Sequence, residues 1–452
     1  MSEFKAYPEY KDSVFGVIPA RWQTLALKRV LSTKITDGPH ETPTLHDEGI
    51  PFISAEAVRN GRLDFNLKRG YITKEAHNTY KKKCLPQKND IFMVKSGATT
   101  GNVAILEKER EFSIWSPLAL IRANREMILP KFLFYFISSV LFKEQVETRW
   151  NYGTQQNIGM NILENLLIIL PDLKDQKLIT NFLNQKTIEI NSLISDKERL
   201  IELLEEKRQA VITETVTKGL DPNVKMKDSG IEWIGEVPEH WNTTKIKYTT
   251  YVKGRIGWQG LRSDEFTDVG PHLVTGTDFQ DGFINWSTCH RISEERYEEA
   301  PEIQLKNNDL LVTKDGTIGK VAIVKDKPEK AILNSGVFVT RPYKETYLTE
   351  YLYWILNSNV FIDYIDIMSS GTTVRHLYQE TFNNFVYPIP NLKEQAIISE
   401  LISRETSQLD NIINETRLQI SKLKEYRESL IYEAVTGKID VRNYVTEKEE
   451  AY

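Results

Sequence analysis

The sequence predicts an α+β protein that is a tandem repeat with pseudo-two-fold symmetry. Two mixed α/β globules are each followed by one long helix, and the two helices form an antiparallel coiled coil. Short motifs recur at a fixed offset of 219 residues, and each copy ends in about 45 residues of helical pattern. A two-fold axis between the copies makes equivalent helices run in opposite directions.

The repeat is visible in short motifs at both ends of each copy. GVIPARW (16–22) corresponds to GEVPEHW (235–241), and PDLKDQ (171–176) corresponds to PNLKEQ (390–395), each time 219 residues later. A turn that recurred by chance would not keep this register over two hundred residues. The chain is therefore interpreted as a duplication.

Length and composition limit the class of protein. A chain of 452 residues exceeds the usual size of a single core, and 40% hydrophobic with 27% charged residues is typical of a globular protein. Cys84 and Cys289 form no CxxC pair, which argues against a disulfide framework or a zinc site. The longest apolar run, LLIIL (166–170), is too short to span a bilayer. We expect a cytoplasmic protein with no membrane partner.

The change from mixed to helical pattern divides the chain into six segments. They are a first globule at 1–173, a helix at 174–218, a linker at 219–230, a second globule at 231–392, a second helix at 393–437 and a tail at 438–452.

Each long helix carries a stripe of residues spaced by alternating steps of three and four, which predicts a coiled-coil seam. The first stripe is Ile179, Leu183, Lys186, Ile190, Leu193, Lys197, Leu200, Leu204, Lys207 and Val211. The second, less regular stripe is Ile398, Ile402, Leu409, Ile412, Leu423, Tyr426 and Leu430. The alternative is that each helix packs only on its own globule.

No catalytic, metal or cofactor motif is complete. His40 and Glu41 begin an HExxH pattern, but the second histidine is replaced by Thr44. KDGTIGK (314–320) lacks the GxxxxGK[ST] spacing of a nucleotide-binding loop. We therefore expect no catalytic residue, bound metal or cofactor in this chain.

The two copies differ most in loops, where recognition is commonly found. ITDGPHETP (35–43) and GRIGWQG (254–260) occupy equivalent positions but share almost nothing. Amide side chains suit adenine edges and arginine suits guanine, so such differences fit two different DNA readers. Neutral drift in exposed loops predicts the same divergence. The candidate DNA-binding residues are His40, Lys95, Gln155, Gln156, Asn157, Arg255, Trp258, Gln259, Lys314, Thr373, Arg375 and His376.

The glycine-rich loops KSGATTG (95–101) and KDGTIGK (314–320) occur in both copies. One interpretation is a hairpin turn between two strands. The other is a backbone that approaches DNA closely, with Lys95 and Lys314 on phosphates.

In combination, these motifs resemble the specificity subunit of type I restriction-modification systems. The resemblance rests on GLDPNVKMKDSGIEWIGEVPEHW (219–241), the PxLxEQ openings at 171–176 and 390–395, and VTGKIDV (435–441). GRIGWQGL and ITDGPHETP look like two classes of that family's target recognition domain. Asp175 stands where the family usually has glutamate.

The resemblance implies that each globule reads one half of a bipartite site in double-stranded DNA. It also implies that the helices set the spacer and dock two methyltransferase subunits. S-adenosylmethionine would then belong to those partners, which methylate adenine, while ATP and Mg would belong to separate restriction and motor subunits. A net charge of −5 fits a reader that shares its phosphate contacts with partners.

Three other functions remain open. The chain could be a structural scaffold, an independent enzyme such as a nuclease, or an orphan DNA-binding subunit without an active restriction system. Divergent loops argue against the scaffold, and the missing catalytic motifs argue against the enzyme.

Overall fold

The computed structural model describes residues 6–149, 151–152, 156–255, 261–369, 376–442 and 444. The chain forms two compact units: unit 1 is Met1–Lys197 with Leu418–Tyr452, and unit 2 is Glu198–Arg417. Each unit holds one α/β globule and one part of each of two long helices. Within the described ranges, no helix combines the length and apolar character that crossing a bilayer requires.

The globule of unit 1 is built on two sheets. The four-stranded sheet has the order Val103–Ile105, Ile91–Val94, Leu118–Ile121 and Thr36–Asp37, and the three-stranded sheet has the order Ser113–Ile114, Ile50–Ile53 and Gly70–Ile72. Its elements in chain order are β1 Tyr10–Ser13, β2 Gly16–Pro19, β3 Gln23–Ala26, β4 Thr36–Asp37, β5 Ile50–Ile53, β6 Val58–Arg59, β7 Arg62–Leu63, β8 Gly70–Ile72, α1 Lys74–Tyr80, β9 Ile91–Val94, β10 Val103–Ile105, β11 Ser113–Ile114, β12 Leu118–Ile121, α2 Pro130–Ser138, α3 Val140–Glu147, β13 Asn151–Tyr152, β14 Gln156–Asn157, α4 Met160–Asn165 and β15 Leu167–Leu170, followed by the long helix α5 Leu173–Lys218.

The globule of unit 2 is also built on two sheets. The six-stranded sheet has the order Thr250–Gly254, Val337–Pro342, Leu310–Thr313, Val321–Ile323, Phe283–Ile284 and Phe279–Gln280, and the three-stranded sheet has the order His290–Arg291, Thr267–Val274 and Ala331–Leu333. Its elements are β16 Met226–Asp228, β17 Glu236–Pro238, β18 Asn242–Lys245, α6 Ile246–Thr249, β19 Thr250–Gly254, β20 Thr267–Val274, β21 Phe279–Gln280, β22 Phe283–Ile284, β23 His290–Arg291, α7 Glu294–Glu298, β24 Leu310–Thr313, β25 Val321–Ile323, β26 Ala331–Leu333, β27 Val337–Pro342, α8 Thr349–Asn357, α9 Asn359–Ser369, α10 Gln379–Asn384 and β28 Val386–Ile389, followed by the long helix α11 Leu392–Thr436.

Strand register confirms the duplication. In unit 1, β9 pairs with β12 so that Met93 faces Ala119. In unit 2, β24 pairs with β27 so that Val312 faces Phe338, which is the same pair moved by 219 residues in both strands. All four residues of β9 and of β24 are buried, as expected for strands covered on both faces. Each globule therefore has the same central pair of antiparallel strands.

The two long helices pair in opposite directions, as predicted, and their ends lie within one residue of the predicted ends. Within each unit, later residues of α5 contact earlier residues of α11. The side-chain pairs are Asn191 with Arg427 and Lys197 with Gln419 in unit 1, and Glu205 with Arg417 and Arg208 with Asp410 in unit 2.

The buried stripe of each long helix differs from the predicted seam. The buried apolar residues that match at an offset of 219 are Ile179, Leu183, Ile190, Ile194, Ile212 and Val216 on α5, and Ile398, Ile402, Leu409, Ile413, Ile431 and Val435 on α11. The seam predicted from sequence was wrong at Leu193, Leu200, Ile412 and Tyr426, which are exposed. A straight helix with 3.6 residues per turn drifts from a strict seven-residue repeat. After Ile190 the next buried position is therefore four residues on.

Two of the repeated motifs contact each other at the start of each long helix. The indole Nε1–H of Trp22 donates to Asp175 at 3.1 Å, and that of Trp241 donates to Glu394 at 3.2 Å. Both carboxylates lie in the first helical turn, where the helix dipole favours negative charge. The aspartate at 175 thus makes the same contact as the glutamate at 394.

The glutamine that follows each carboxylate is fully buried and is hydrogen-bonded on both sides. Gln395 accepts from the Leu348 backbone N–H at 2.8 Å and donates to the Pro390 carbonyl at 2.8 Å. Gln176 bonds in the same way to Leu129 and to the Pro171 carbonyl. This glutamine holds the last strand and the helical layer of each globule at the start of the long helix.

A buried aspartate and an arginine form a bidentate pair in each globule. Arg341 donates to both carboxylate oxygens of Asp309 at 2.7 Å and to the Gln304 carbonyl at 2.6 Å. Arg122 and Asp90 form the equivalent pair in unit 1. Burial lowers the pKa of Arg341, but the adjacent carboxylate outweighs burial and raises it overall. The pair ties β27 to the turn before β24.

We expect Asp309→Ala to destabilise unit 2 by about 3 kcal/mol, because it leaves a largely buried guanidinium without its carboxylate. Urea unfolding of the full chain measures the change. Lys225→Ala is the control, since it breaks an exposed ion pair with Glu239 and should cost less than about 1 kcal/mol. Equal losses from both variants would contradict a structural role for the buried pair.

His77 on α1 is buried between a hydroxyl and a carboxylate. Its Nδ1 lies 2.9 Å from Ser113 Oγ, and its Nε2 lies 3.3 Å from Glu111. Burial lowers the pKa of His77, and Glu111 offsets this only in part. The unfolded chain, with a histidine pKa of about 6.5, therefore takes up a proton before the folded chain does.

We expect the stability of unit 1 to fall as the pH drops below about 6.5, because only the unfolded state then gains a proton at His77. His77→Asn should flatten the dependence of the melting temperature on pH between about pH 7 and pH 5. Melting curves at several pH values test this, and identical slopes in both proteins would refute it.

Candidate nucleic-acid interface

In unit 1, the glycine loop 95–101 is hydrogen-bonded to the segment that carries the predicted amide readers. The Ile158 N–H donates to the Lys95 carbonyl at 2.9 Å, and the Gly97 N–H donates to the Gln156 carbonyl at 3.0 Å. These bonds fix β14 against the end of β9 and leave the side chains of Gln156 and Asn157 exposed. Two loops that are about sixty residues apart in sequence thus form one surface.

The loop 35–43 joins the same surface through Lys95. The Lys95 ammonium lies 3.3 Å from the carboxylate of Asp37, at the end of β4. A Cβ added to Gly38 would lie 1.9 Å from the Ile114 carbonyl oxygen, so only glycine fits there. His40 is exposed, with Nε2 3.2 Å from Asp37. Three separate candidate segments therefore meet in unit 1.

The glycine loop connects two antiparallel strands, which confirms the hairpin interpretation. Gly97 and Gly101 have φ values of 107° and 93°, where other residues are strained. A Cβ on either glycine would have no atom within 4 Å, so glycine is needed here for the backbone conformation and not to avoid a clash within the chain. The open space also leaves this backbone accessible to a ligand, and contact with DNA stays a prediction.

Unit 2 has the same backbone arrangement around Lys314. Its N–H donates to the Gly336 carbonyl and its carbonyl accepts from the Leu377 N–H, both at 2.9 Å. The ammonium lies 5.2 Å from the centre of the Phe338 ring, and burial lowers its pKa. His376 pairs with Asp315 in the glycine loop. Lys314 and His376, both predicted candidates, therefore lie close together.

Arg255 and Lys95 lie deeper than the prediction of DNA contacts implied. Arg255 is only 2% exposed and donates to the Leu333 carbonyl at 3.1 Å, and burial lowers its pKa. The side chain of Lys95 is 12% exposed. In this arrangement both residues support loops from within. The predicted residues Gln155, Trp258, Gln259, Thr373 and Arg375 lie outside the described residues.

Sequence reasoning missed Asp37 and Lys83. The Lys83 ammonium lies 2.5 Å from Asp37 and 3.1 Å from the Gly38 carbonyl. Asp37 was inside a loop already singled out, and Lys83 ends a run of three lysines. Only the fold brings these two segments together.

The part of the chain that the structure describes contains no cluster of three histidine, cysteine or acidic residues able to hold a metal ion. The contact of Ser113, His77 and Glu111 has the residue types of a hydrolytic triad, but Ser113 is 1% exposed and cannot reach a substrate. This contact is therefore structural.

Comparisons with known proteins agree with the duplicated fold. The model of the type I restriction modification DNA specificity domain matches residues 19–203 and 256–422. The chain is 24% identical over 400 residues to the type I restriction enzyme MjaVIII specificity subunit of Methanocaldococcus jannaschii, covering 87% of each chain. It is 21% identical to the StySPI specificity subunit of Salmonella potsdam, over 94% of this chain and 90% of the relative.

Two solved structures share the fold. The HsdS subunit from Thermoanaerobacter tengcongensis superposes with a TM-score of 0.51 at 16% identity, covering 93% of this chain and 98% of that one. A chain from a structure of complex assembly in the type I R-M system superposes with a TM-score of 0.69 at 15% identity, covering 93% and 99%. The family match covers more than half of the chain and falls on both copies. The chain therefore belongs to the family of type I restriction-modification DNA specificity subunits, which recognise DNA sequence and leave the chemistry to other subunits.

Proposed function

We propose that each unit reads one half of a bipartite, asymmetric site in double-stranded DNA. The observation that supports this is a recognition surface held by equivalent backbone bonds around Lys95 and Lys314 but carrying different side chains. In unit 1 the exposed groups include the amides of Gln156 and Asn157, which suit adenine edges. In unit 2 the positions that correspond to these amides are followed in sequence by His376. The two half-sites are therefore expected to differ in sequence.

Partner proteins are the second part of the proposal. Several large apolar residues on the long helices are exposed: Ile188, Leu193, Leu200 and Leu203 on α5, and Ile397, Ile412, Leu418 and Tyr426 on α11. Exposed apolar side chains on a helix favour contact with another protein. Leu193 and Ile412 are equivalent at the offset of 219, so each helix offers a matching site. This supports two methyltransferase subunits per chain.

The remaining chemistry belongs to those partners in this proposal. Adenine methylation with S-adenosylmethionine lies on the methyltransferase subunits, and ATP with Mg lies on restriction subunits that act as motors. The net charge of −5 supports such sharing, because a reader that neutralised phosphates alone would usually be basic.

Genomic methylation mapping tests the proposal. Expression of the chain with its methyltransferase should produce adenine methylation at one split motif. Exchange of residues 1–173 for a foreign copy should change only one half of that motif, because the second reader is intact. An unchanged methylome would instead favour a scaffold or an orphan subunit.

We expect the isolated chain to bind DNA weakly, with log K falling steeply against log salt concentration. Fluorescence anisotropy with a labelled duplex, with and without the methyltransferase subunits, measures both quantities. Nanomolar specific binding by the chain alone at physiological salt would contradict shared phosphate contacts.

A further inference from the structure

Unit 1 contains a buried carboxylate with two lysines and a histidine around it. Asp37 is fully buried, and its carboxylate lies 2.5 Å from the Lys83 ammonium, 3.3 Å from the Lys95 ammonium and 3.2 Å from His40. Burial raises the pKa of Asp37, but the two lysines outweigh burial and hold it below its usual value. The carboxylate is therefore ionised, and two lysine charges face one negative charge.

The three side chains around Asp37 differ in how exposed they are. The side chain of Lys95 is 12% exposed, whereas those of Lys83 and His40 are 51% and 70% exposed. Lys95 thus links two segments of the surface. Its ammonium contacts Asp37 in the loop 35–43. Its carbonyl accepts from the Ile158 N–H, in the segment that carries Gln156 and Asn157. Lys83 and His40 form the outer side of the cluster.

The Lys83 ammonium is held in place and still has donor capacity. It has three N–H donors, and its hydrogen bonds within the described chain go to Asp37 and to the Gly38 carbonyl. One donor is left for an incoming anion. A side chain that is already fixed loses less conformational freedom on binding than a mobile lysine does. This favours a phosphate oxygen as its ligand.

The base of the cluster belongs to a β-sheet. Asp37 pairs with Ala119 of β12 in the four-stranded sheet. The lack of space for a Cβ at Gly38 shows that the chain after Asp37 packs directly against the Ile114 backbone. A displacement of the carboxylate would therefore move the exposed part of the loop, including His40.

The cluster is specific to unit 1. At the offset of 219, Asp37 corresponds to Ile256 and Lys83 corresponds to Glu302. Lys314, the counterpart of Lys95, lies over Phe338 instead. Any effect of the cluster on DNA reading should therefore be confined to one half-site.

From this geometry, and on the basis of the proposed function, we propose that Asp37 is a positioning residue for the half-site read by unit 1. It fixes Lys95 between the two recognition loops and holds Lys83 against a DNA phosphate. Lys83 is the phosphate ligand of this surface, and Lys95 is internal support.

The test uses the full chain in complex with its methyltransferase subunits, and duplexes that carry the mapped motif or one base change in either half. Asp37→Asn keeps the shape of the side chain and removes its charge. We expect it to reduce discrimination in the unit 1 half by about tenfold and to leave the other half unchanged. Lys83→Gln should weaken binding to all duplexes and lower the salt slope by about 0.9.

Lys82→Gln is the matched control, because it removes the same charge one residue away and Lys82 is exposed. The inference is overturned if Asp37→Asn leaves both halves unchanged, or if Lys83→Gln cannot be distinguished from Lys82→Gln. Should Asp37→Asn fail to fold, Lys95→Gln takes its place in the test, because it breaks the contact between Lys95 and Asp37 by removing the lysine charge. A wild-type complex without discrimination in either half would refute the proposed function itself.

Discussion

One hydrogen bond, from an indole N–H to a carboxylate in the first helical turn, fixes how each long helix leaves its globule. Trp22 and Asp175 form it in unit 1, and Trp241 and Glu394 form it in unit 2. The tryptophans are almost completely buried, so each carboxylate is tied to the hydrophobic core. Each carboxylate also has an exposed partner, Arg21 beside Asp175 and His240 beside Glu394. The adjacent buried glutamine, Gln176 or Gln395, also donates a hydrogen bond to the carbonyl that follows the last strand of its globule.

At the recognition surface, equivalent backbone bonds hold the loops of both units, whereas the exposed side chains differ. Lys95 and Lys314 use their peptide groups in the same way, so these bonds do not depend on the exposed side chains of the loops. Those exposed side chains can then change without breaking the bonds. A duplicated reader can in this way acquire two specificities while keeping one fold.

Much of the fold could be predicted from the sequence, because a repeat and a long helical pattern are properties of many residues together. The ends of both long helices were right to within one residue. The predicted seam was wrong at Leu193 and Ile412, where the next residue is buried instead. Packing against neighbouring residues decides which of two adjacent positions is buried. The site was predicted only as a set of loops. The depth of Lys95 and Arg255, and the role of Asp37, depend on contacts between distant segments that no local pattern encodes.

The two units are made of different stretches of the chain, and this determines the order in which they are completed during synthesis. Unit 2 is one continuous stretch, Glu198–Arg417, and has all its residues as soon as Arg417 has left the ribosome. Unit 1 needs the stretch from Leu418 onward, where the Gly437 carbonyl accepts from the Tyr10 hydroxyl at 2.9 Å. The first globule to be translated is therefore the last to be completed. Until then, the part of α5 that belongs to unit 1 lacks its partner helix and depends on its own globule to cover its apolar face.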